Sequence, residues 1–182
     1  MHIINLLEAI FLLVLVFWFF FFIAQAYNII FRGYAPFIST KKSIIKKIIN
    51  NIELENNAVI CELGCGRAGF LRFARKKFPN SKIIGYEYAL LPFFLAKIQN
   101  WFKKSNLDIR RNDIFKVDLS KTALVYCFLS VKMMKLLKNK FLKELKPGAQ
   151  IVSYQFKLPE FEPIKVITGD KPSEKIYFYK IK

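Results

Sequence analysis

Histidine is almost missing from this sequence: His2 is the only one among 182 residues, and cysteine is held to Cys61, Cys65 and Cys127. That set offers no zinc-ligand spacing, so no metal centre is expected. Cys61 and Cys127 fall inside apolar, strand-like runs, which predicts buried, reduced thiols and no structural disulfide. Basic side chains are lacking from one region, since the first 31 residues contain no Lys or Arg and a single acid, Glu8. Low-complexity linkers and internal repeats are lacking as well. Beyond that region about 150 residues remain, enough to bury a core without disulfides or metal, with no room for a second substrate-recognition domain.

What is there begins with 23 consecutive uncharged residues, Ala9 to Phe31, within which Phe11 to Ile23 has no polar side chain. As a helix this segment is about 35 Å long, sufficient to cross a hydrocarbon core of about 30 Å. A single transmembrane helix is the reading. A cleaved signal peptide is its competitor because Ala24-Gln25-Ala26 resembles a cleavage site, but such a peptide needs a basic leading region. Arg32, Lys41, Lys42, Lys46 and Lys47 all follow the apolar segment, and that asymmetry predicts an outside N-terminus and a cytoplasmic remainder. After Glu8 the chain sets 30 basic residues against 12 acids, a net +18. Such a field draws a domain toward anionic lipid, nucleic acid or acidic proteins; charge alone names none of them.

The stretch Ser39 to Ile52 puts Ile44, Ile45, Ile48, Ile49 and Ile52 on one face and lysines on the other, the pattern of an amphipathic helix with Ser39 or Thr40 as its cap. Packing against its own sheet is the commoner use of such a stripe; resting on a bilayer is the other. Beyond it, candidate strands Ala58 to Glu62, Lys82 to Tyr86, Leu107 to Arg111, Ala123 to Leu129 and Gln150 to Phe156 alternate with candidate helices Phe70 to Lys77, Ala89 to Lys104 and Val131 to Leu145. Alternation of this kind implies βαβ units and a parallel sheet covered on both faces. Ile164 to Thr168 and Lys175 to Ile181 complete the chain as an antiparallel edge pair. The expected organisation is an anchor over 1–31, a linker and amphipathic helix over 32–56, and an α/β domain over 57–182.

Val59 to Phe70 carries the chemistry: an apolar strand runs into Glu62-Leu63-Gly64-Cys65-Gly66 and then into a helix. Glycines in that turn let a ligand approach the backbone at the carboxyl end of the first strand, where open α/β sheets bind cofactors. Dinucleotide and S-adenosylmethionine sites share the turn. A dinucleotide loop must cradle a pyrophosphate, whereas S-adenosylmethionine presents an ammonium that an acid can favour, so Glu62 tilts the choice toward methyl transfer. Its structural alternative is a carboxylate capping the following turn. Glu87 ends the second candidate strand 25 residues later, where one carboxylate can accept from both ribose hydroxyls. Asp113, after the third strand, can accept from an adenine amine or simply shape a turn with Asn112.

In this order and spacing, these stations resemble the class I S-adenosylmethionine-dependent methyltransferases. Further segments are similar to one group among them: Ala35-Pro36-Phe37-Ile38-Ser39-Thr40, Phe115-Lys116-Val117-Asp118-Leu119-Ser120 and Lys143-Glu144-Leu145-Lys146-Pro147-Gly148. That group contains small archaeal protein-lysine methyltransferases and the mitochondrial enzymes acting on lysines of the ATP synthase c-subunit and the adenine nucleotide translocase. The resemblance runs from about Tyr34 to the end of the chain. It implies a Rossmann-like α/β fold with a seven-stranded, mostly parallel sheet, S-adenosylmethionine as donor, and a protein lysine as acceptor; nucleic acid is not the partner it implies.

Carried over by position, Glu62, Gly64, Cys65 and Gly66 line the methionine end, Glu87 holds the ribose and Asp113 the adenine. Phe37 and Thr40 belong to a segment folding over the cofactor. No catalytic base is assigned, and Tyr34, Phe37 and Tyr154 are candidates for an aromatic slot that would favour a neutral lysine. The chain departs from the group at Arg67-Ala68-Gly69, where Asp-Gly-Arg is usual. It departs again at Ser39, at Ser130-Val131 and at Gln155, which replaces an acid. A membrane-bound lipid or quinone methyltransferase and an inactive cofactor-binding module are the competing readings.

Overall fold

The computed structural model describes residues 2–32 and 38–182, with side chains described from Leu6 to Ala24, at Tyr27 and from Ile38 onward. Tyr34 and Phe37 lie outside the described residues. The chain divides into two compact units, Met1–Pro36 and Phe37–Lys182.

The first unit is one helix, α1 (His2–Arg32). Its stretch Leu6–Ala24 is long and apolar enough to cross a membrane, by length and composition, a test that a signal sequence also passes. Every side chain in that stretch except Phe21 is exposed, unlike the side chains of a core helix.

The second unit is built on a seven-stranded sheet of β1 (Val59–Leu63), β2 (Lys82–Glu87), β3 (Asp108–Arg111), β4 (Leu124–Cys127), β5 (Gln150–Tyr154), β6 (Lys165–Thr168) and β7 (Lys175–Lys180). The strands lie in the order β3-β2-β1-β4-β5-β7-β6. The first five pair in parallel, and β7 is antiparallel to both β5 and β6. Parallel strands need crossover connections, and three of the four are the helices α3 (Gly69–Lys77), α4 (Leu90–Phe102) and α5 (Val131–Glu144), while residues 112–123 cross from β3 to β4 without one. The strand order reverses between β1 and β4, which opens a crevice at their carboxyl ends.

An amphipathic helix, α2 (Lys42–Asn50), precedes the sheet. Ile44, Ile45, Ile48 and Ile49 are buried in the same core as Phe70, Leu71, Tyr126 and Val152, so the isoleucine stripe covers the sheet rather than a bilayer. The expected cap does not form. Lys41 holds the N-cap position and makes no side-chain cap bond, while the Thr40 hydroxyl is engaged 2.7 Å away with the Tyr126 hydroxyl. Cys61, Cys65 and Cys127 are free and buried.

Candidate active site at the carboxyl ends of β1, β2 and β4

Glu62 stands next to last in β1, in register with Gly85 on β2 and Tyr126 on β4. The chain then turns through Gly64 and Gly66, at φ +72° and +51°, a region that favours glycine. The turn is held to β2: the Gly64 and Cys65 amides both donate to the Tyr86 carbonyl at 2.9 Å. The Cys65 side chain points into the core, where a Cβ on Gly85 would come within 2.8 Å of its sulfur and 2.6 Å of Leu71 Cδ1. Cys65 can therefore offer a ligand its backbone but not its thiol. Ala68, in the stretch that departs from Asp-Gly-Arg, takes a left-handed conformation at φ +56° and leads directly into α3.

The Glu87 carboxylate, at the end of β2, binds this turn from the other side. Its Oε2 accepts from the Gly66 amide at 2.9 Å and its Oε1 from the Ala89 amide at 2.8 Å. Burial pushes its pKa up, and the amides of Ala89, Gly66 and Tyr88 oppose the shift. Glu62 is also buried, at 6 % exposure, but is served differently. Burial above all, and then the charge of Glu87, hold its carboxyl well above the usual range, opposed by the Arg72 guanidinium and the Leu71 amide. The Leu71 amide lies in the first turn of α3, whose N-cap, Ala68, makes no side-chain cap bond. Glu62 Oε2 is buried and has no partner among the described residues.

A buried acceptor without a donor costs roughly 1–3 kcal/mol, and a cationic ligand in the crevice would satisfy it. S-adenosylmethionine, whose methionine end carries a sulfonium and an ammonium, fits that requirement. Toward the β3 side lies a cleft of about 380 Å³ lined by Tyr88, Arg111, Asn112, Asp113 and Lys116. There Asp113 forms the turn considered for it, with Oδ1 accepting from the Phe115 amide at 3.0 Å. Asp113 also lines this cleft, so the turn and a ligand contact are compatible.

On the other side of Glu62, Tyr126 is fully buried and stacks on Phe70 with ring centroids 4.2 Å apart. Beyond it, Phe128 follows β4 and Tyr154 ends β5, their rings 4.7 Å apart, and Phe156 stacks on Phe128 at 6.4 Å. Gln155 makes this cluster possible by adopting φ +67°, with its amide bonded to the Lys175 carbonyl at 2.7 Å. The chain thereby turns Phe156 back toward Phe128. Thr40 and Lys41 border the region: Lys41 pairs with Glu174 at 3.2 Å, in the connection between β6 and β7. The sequence reading singled out Tyr154 and Thr40 here but missed Tyr126, Phe128 and Phe156. The available signal was the placement of aromatics at the carboxyl ends of the fourth and fifth strands.

A reversed strand order, a glycine turn after β1 and acids ending β1 and β2 define the class I methyltransferase fold. An RNA methyltransferase from Salinibacter ruber, solved with S-adenosyl-L-homocysteine, superposes with a TM-score of 0.71 at 20 % identity, over 79 % of this chain and 94 % of that one. The family model described as the ANTKMT methyltransferase domain matches residues 62–165, and the chain belongs to that family. It is accordingly a methyltransferase that uses S-adenosylmethionine. A protein-lysine N-methyltransferase of Saccharolobus islandicus (strain REY15A) is 28 % identical over 153 residues, 81 % of this chain and 94 % of the relative. The adenine nucleotide translocase lysine N-methyltransferase of Mus musculus is 24 % identical over 152 residues, 82 % of this chain and 65 % of the mouse protein.

Proposed function

We propose that this protein transfers a methyl group from S-adenosylmethionine to a lysine side chain of a protein at a membrane. The observation that carries the acceptor is kinship across four fifths of the chain with two proteins named as lysine methyltransferases. Residues 1–31 act as a single-pass anchor with the N-terminus outside and the catalytic domain on the cytoplasmic face, a reading supported by the apolar stretch Leu6–Ala24 and by the basic residues that follow it.

In this reading Glu62 faces the cationic methionine end, and the Gly64-Cys65-Gly66 backbone lines it. Glu87 accepts from the ribose hydroxyls with the lone pairs its amide donors leave open, and Asp113 accepts from the adenine amine. Thr40 covers the cofactor from the N-terminal side. S-adenosylmethionine supplies a methyl carbon already activated by its sulfonium. The protein has to hold an amine in line with that carbon and deliver the amine uncharged. Phe128, Tyr154 and Phe156 exclude water at the crevice mouth, and desolvation there lowers the pKa of an incoming lysine, freeing its lone pair for attack.

Full-length protein in detergent, titrated calorimetrically with S-adenosylmethionine, should show saturable binding that Glu87→Ala weakens. Incubation with methyl-labelled cofactor and membranes should then place the label in protein, as methyl-lysine on hydrolysis. Label extracted with lipid would move the acceptor to a lipid or quinone, saturable binding with no label transferred would favour an inactive cofactor-binding module, and no binding by folded protein would overturn the proposal.

A further inference from the structure

The helix α4 is amphipathic in an unusual sense. Pro92 and Ala96 are its buried residues, small groups that let it lie against the β2–β3 edge of the sheet. Phe93 and Leu95 are half-buried, Phe93 against the core, and the other large apolar side chains point the other way. Leu90, Leu91, Phe94 and Ile98 are each at least half exposed, and Trp101 and Phe102 are 74 % and 72 % exposed. They recur at the spacing of one helical face. A patch of this size is more than scattered surface apolarity, and it asks for an occupant.

The charge around the patch identifies one. From Tyr88 to Leu107 the sequence has no acid, while Lys97, Lys103 and Lys104 are all exposed on or just beyond the helix. An apolar helix face whose own segment carries lysines and no acid, with a tryptophan at the lysine-rich end, has the composition of a helix lying in the interface of an anionic bilayer. A protein partner built to match it would have to be apolar and rimmed with acids. A bilayer containing anionic lipid has both properties everywhere, and the apolar stretch Leu6–Ala24 of this chain gives it a reason to be at hand.

We propose that α4 is a second membrane contact, seating the catalytic domain on anionic lipid through Leu90, Leu91, Phe94, Ile98, Trp101 and Phe102. This rests on the anchoring reading for the presence of the bilayer, but it concerns a different element. Tyr88, immediately before α4, lines the cleft beside Asp113. Seating would thus bring the adenosine end of the crevice to the lipid surface.

Trp18 and Trp101 are the only tryptophans, which makes the test direct. Full-length Trp18→Phe protein is placed in nanodiscs of phosphatidylcholine with phosphatidylglycerol, and Trp101 emission is read with and without lipids brominated near the headgroup. The expected result is a blue-shifted emission quenched roughly twofold, with less quenching in phosphatidylcholine alone. Phe94→Glu with Ile98→Glu should abolish the quenching while far-ultraviolet circular dichroism and S-adenosylmethionine binding stay unchanged. If that variant does not fold, Lys103→Glu with Lys104→Glu, which alters no apolar contact, should reduce quenching in the anionic discs.

The Trp101→Phe protein reports Trp18 alone and so tests the anchor separately. Quenched Trp18 with unquenched, water-like Trp101 overturns the seating and keeps the anchor; neither quenched overturns both. Blue-shifted Trp101 emission without quenching means that a second copy or another protein covers the patch, and overturns the proposal.

Discussion

Glu62 and Glu87 are the same residue type at equivalent ends of neighbouring strands, yet the fold treats them oppositely. Glu87 has an amide donor on each oxygen. Glu62 keeps a buried oxygen that no described residue satisfies. The first carboxylate organises the turn whether or not a ligand is bound. The second has an oxygen still free to accept, and a positively charged ligand in the crevice would be favoured by it.

The largest effect should come from Glu87→Ala. It strands the Gly66 and Ala89 amides and removes the acceptor proposed for the ribose, so cofactor affinity should fall roughly a hundredfold by calorimetry. Next is Glu62→Gln, which separates the two carboxylates by sign. Glutamine keeps the shape of the side chain but carries no charge, so S-adenosylmethionine affinity should fall about tenfold while unfolding in urea shows the domain more stable by about 1–3 kcal/mol. A Glu62→Gln protein that is both less stable and unchanged in affinity would break the contrast.

The same contrast has a pH signature. Both folded-state carboxyls titrate above their unfolded values. The native protein therefore holds these protons more tightly than the unfolded chain does, and their contribution to stability is present at acid pH and lost as pH rises through the folded values. A cationic ligand favours ionised Glu62, so its affinity should run the opposite way, increasing with pH over that window. Melting temperatures measured with and without cofactor should diverge as pH rises, and Glu62→Gln should flatten the divergence. The smallest effect is expected from Thr40→Val, which leaves the buried Tyr126 hydroxyl without its partner: about 1 kcal/mol of stability by denaturant titration.

Much of this site was legible because its signals are local. A strand running into a glycine turn, and acids at two strand ends, can be read from spacing, and the structure places Glu62, Gly64, Gly66 and Glu87 around one crevice. Asp113 was legible as either turn or ligand contact, and it faces the cleft while making the turn. What could not be read depends on partners distant in sequence. Thr40 looked like a helix cap, and its hydroxyl instead reaches Tyr126, 86 residues away. Phe128 and Phe156 were hidden among 20 phenylalanines, and only the backbone reversal at Gln155 brings them together.

The helices teach the same lesson. The isoleucine face of α2 is buried and the apolar face of α4 is exposed, although both repeat at helical spacing. Periodicity tells which side of a helix is apolar; what covers that side is decided elsewhere in the chain.

The three free thiols lend the molecule a built-in stopwatch. Cys61, Cys65 and Cys127 are buried and their pKa values are all pushed up, so the intact fold presents no reactive thiolate to an alkylating reagent. Labelling must wait for an opening, and its rate counts openings. Cys65 lies in the glycine turn, whereas Cys61 and Cys127 lie within strands β1 and β4. Alkylation confined to Cys65 would time the loosening of the turn alone, and simultaneous alkylation of all three would time the unfolding of the sheet.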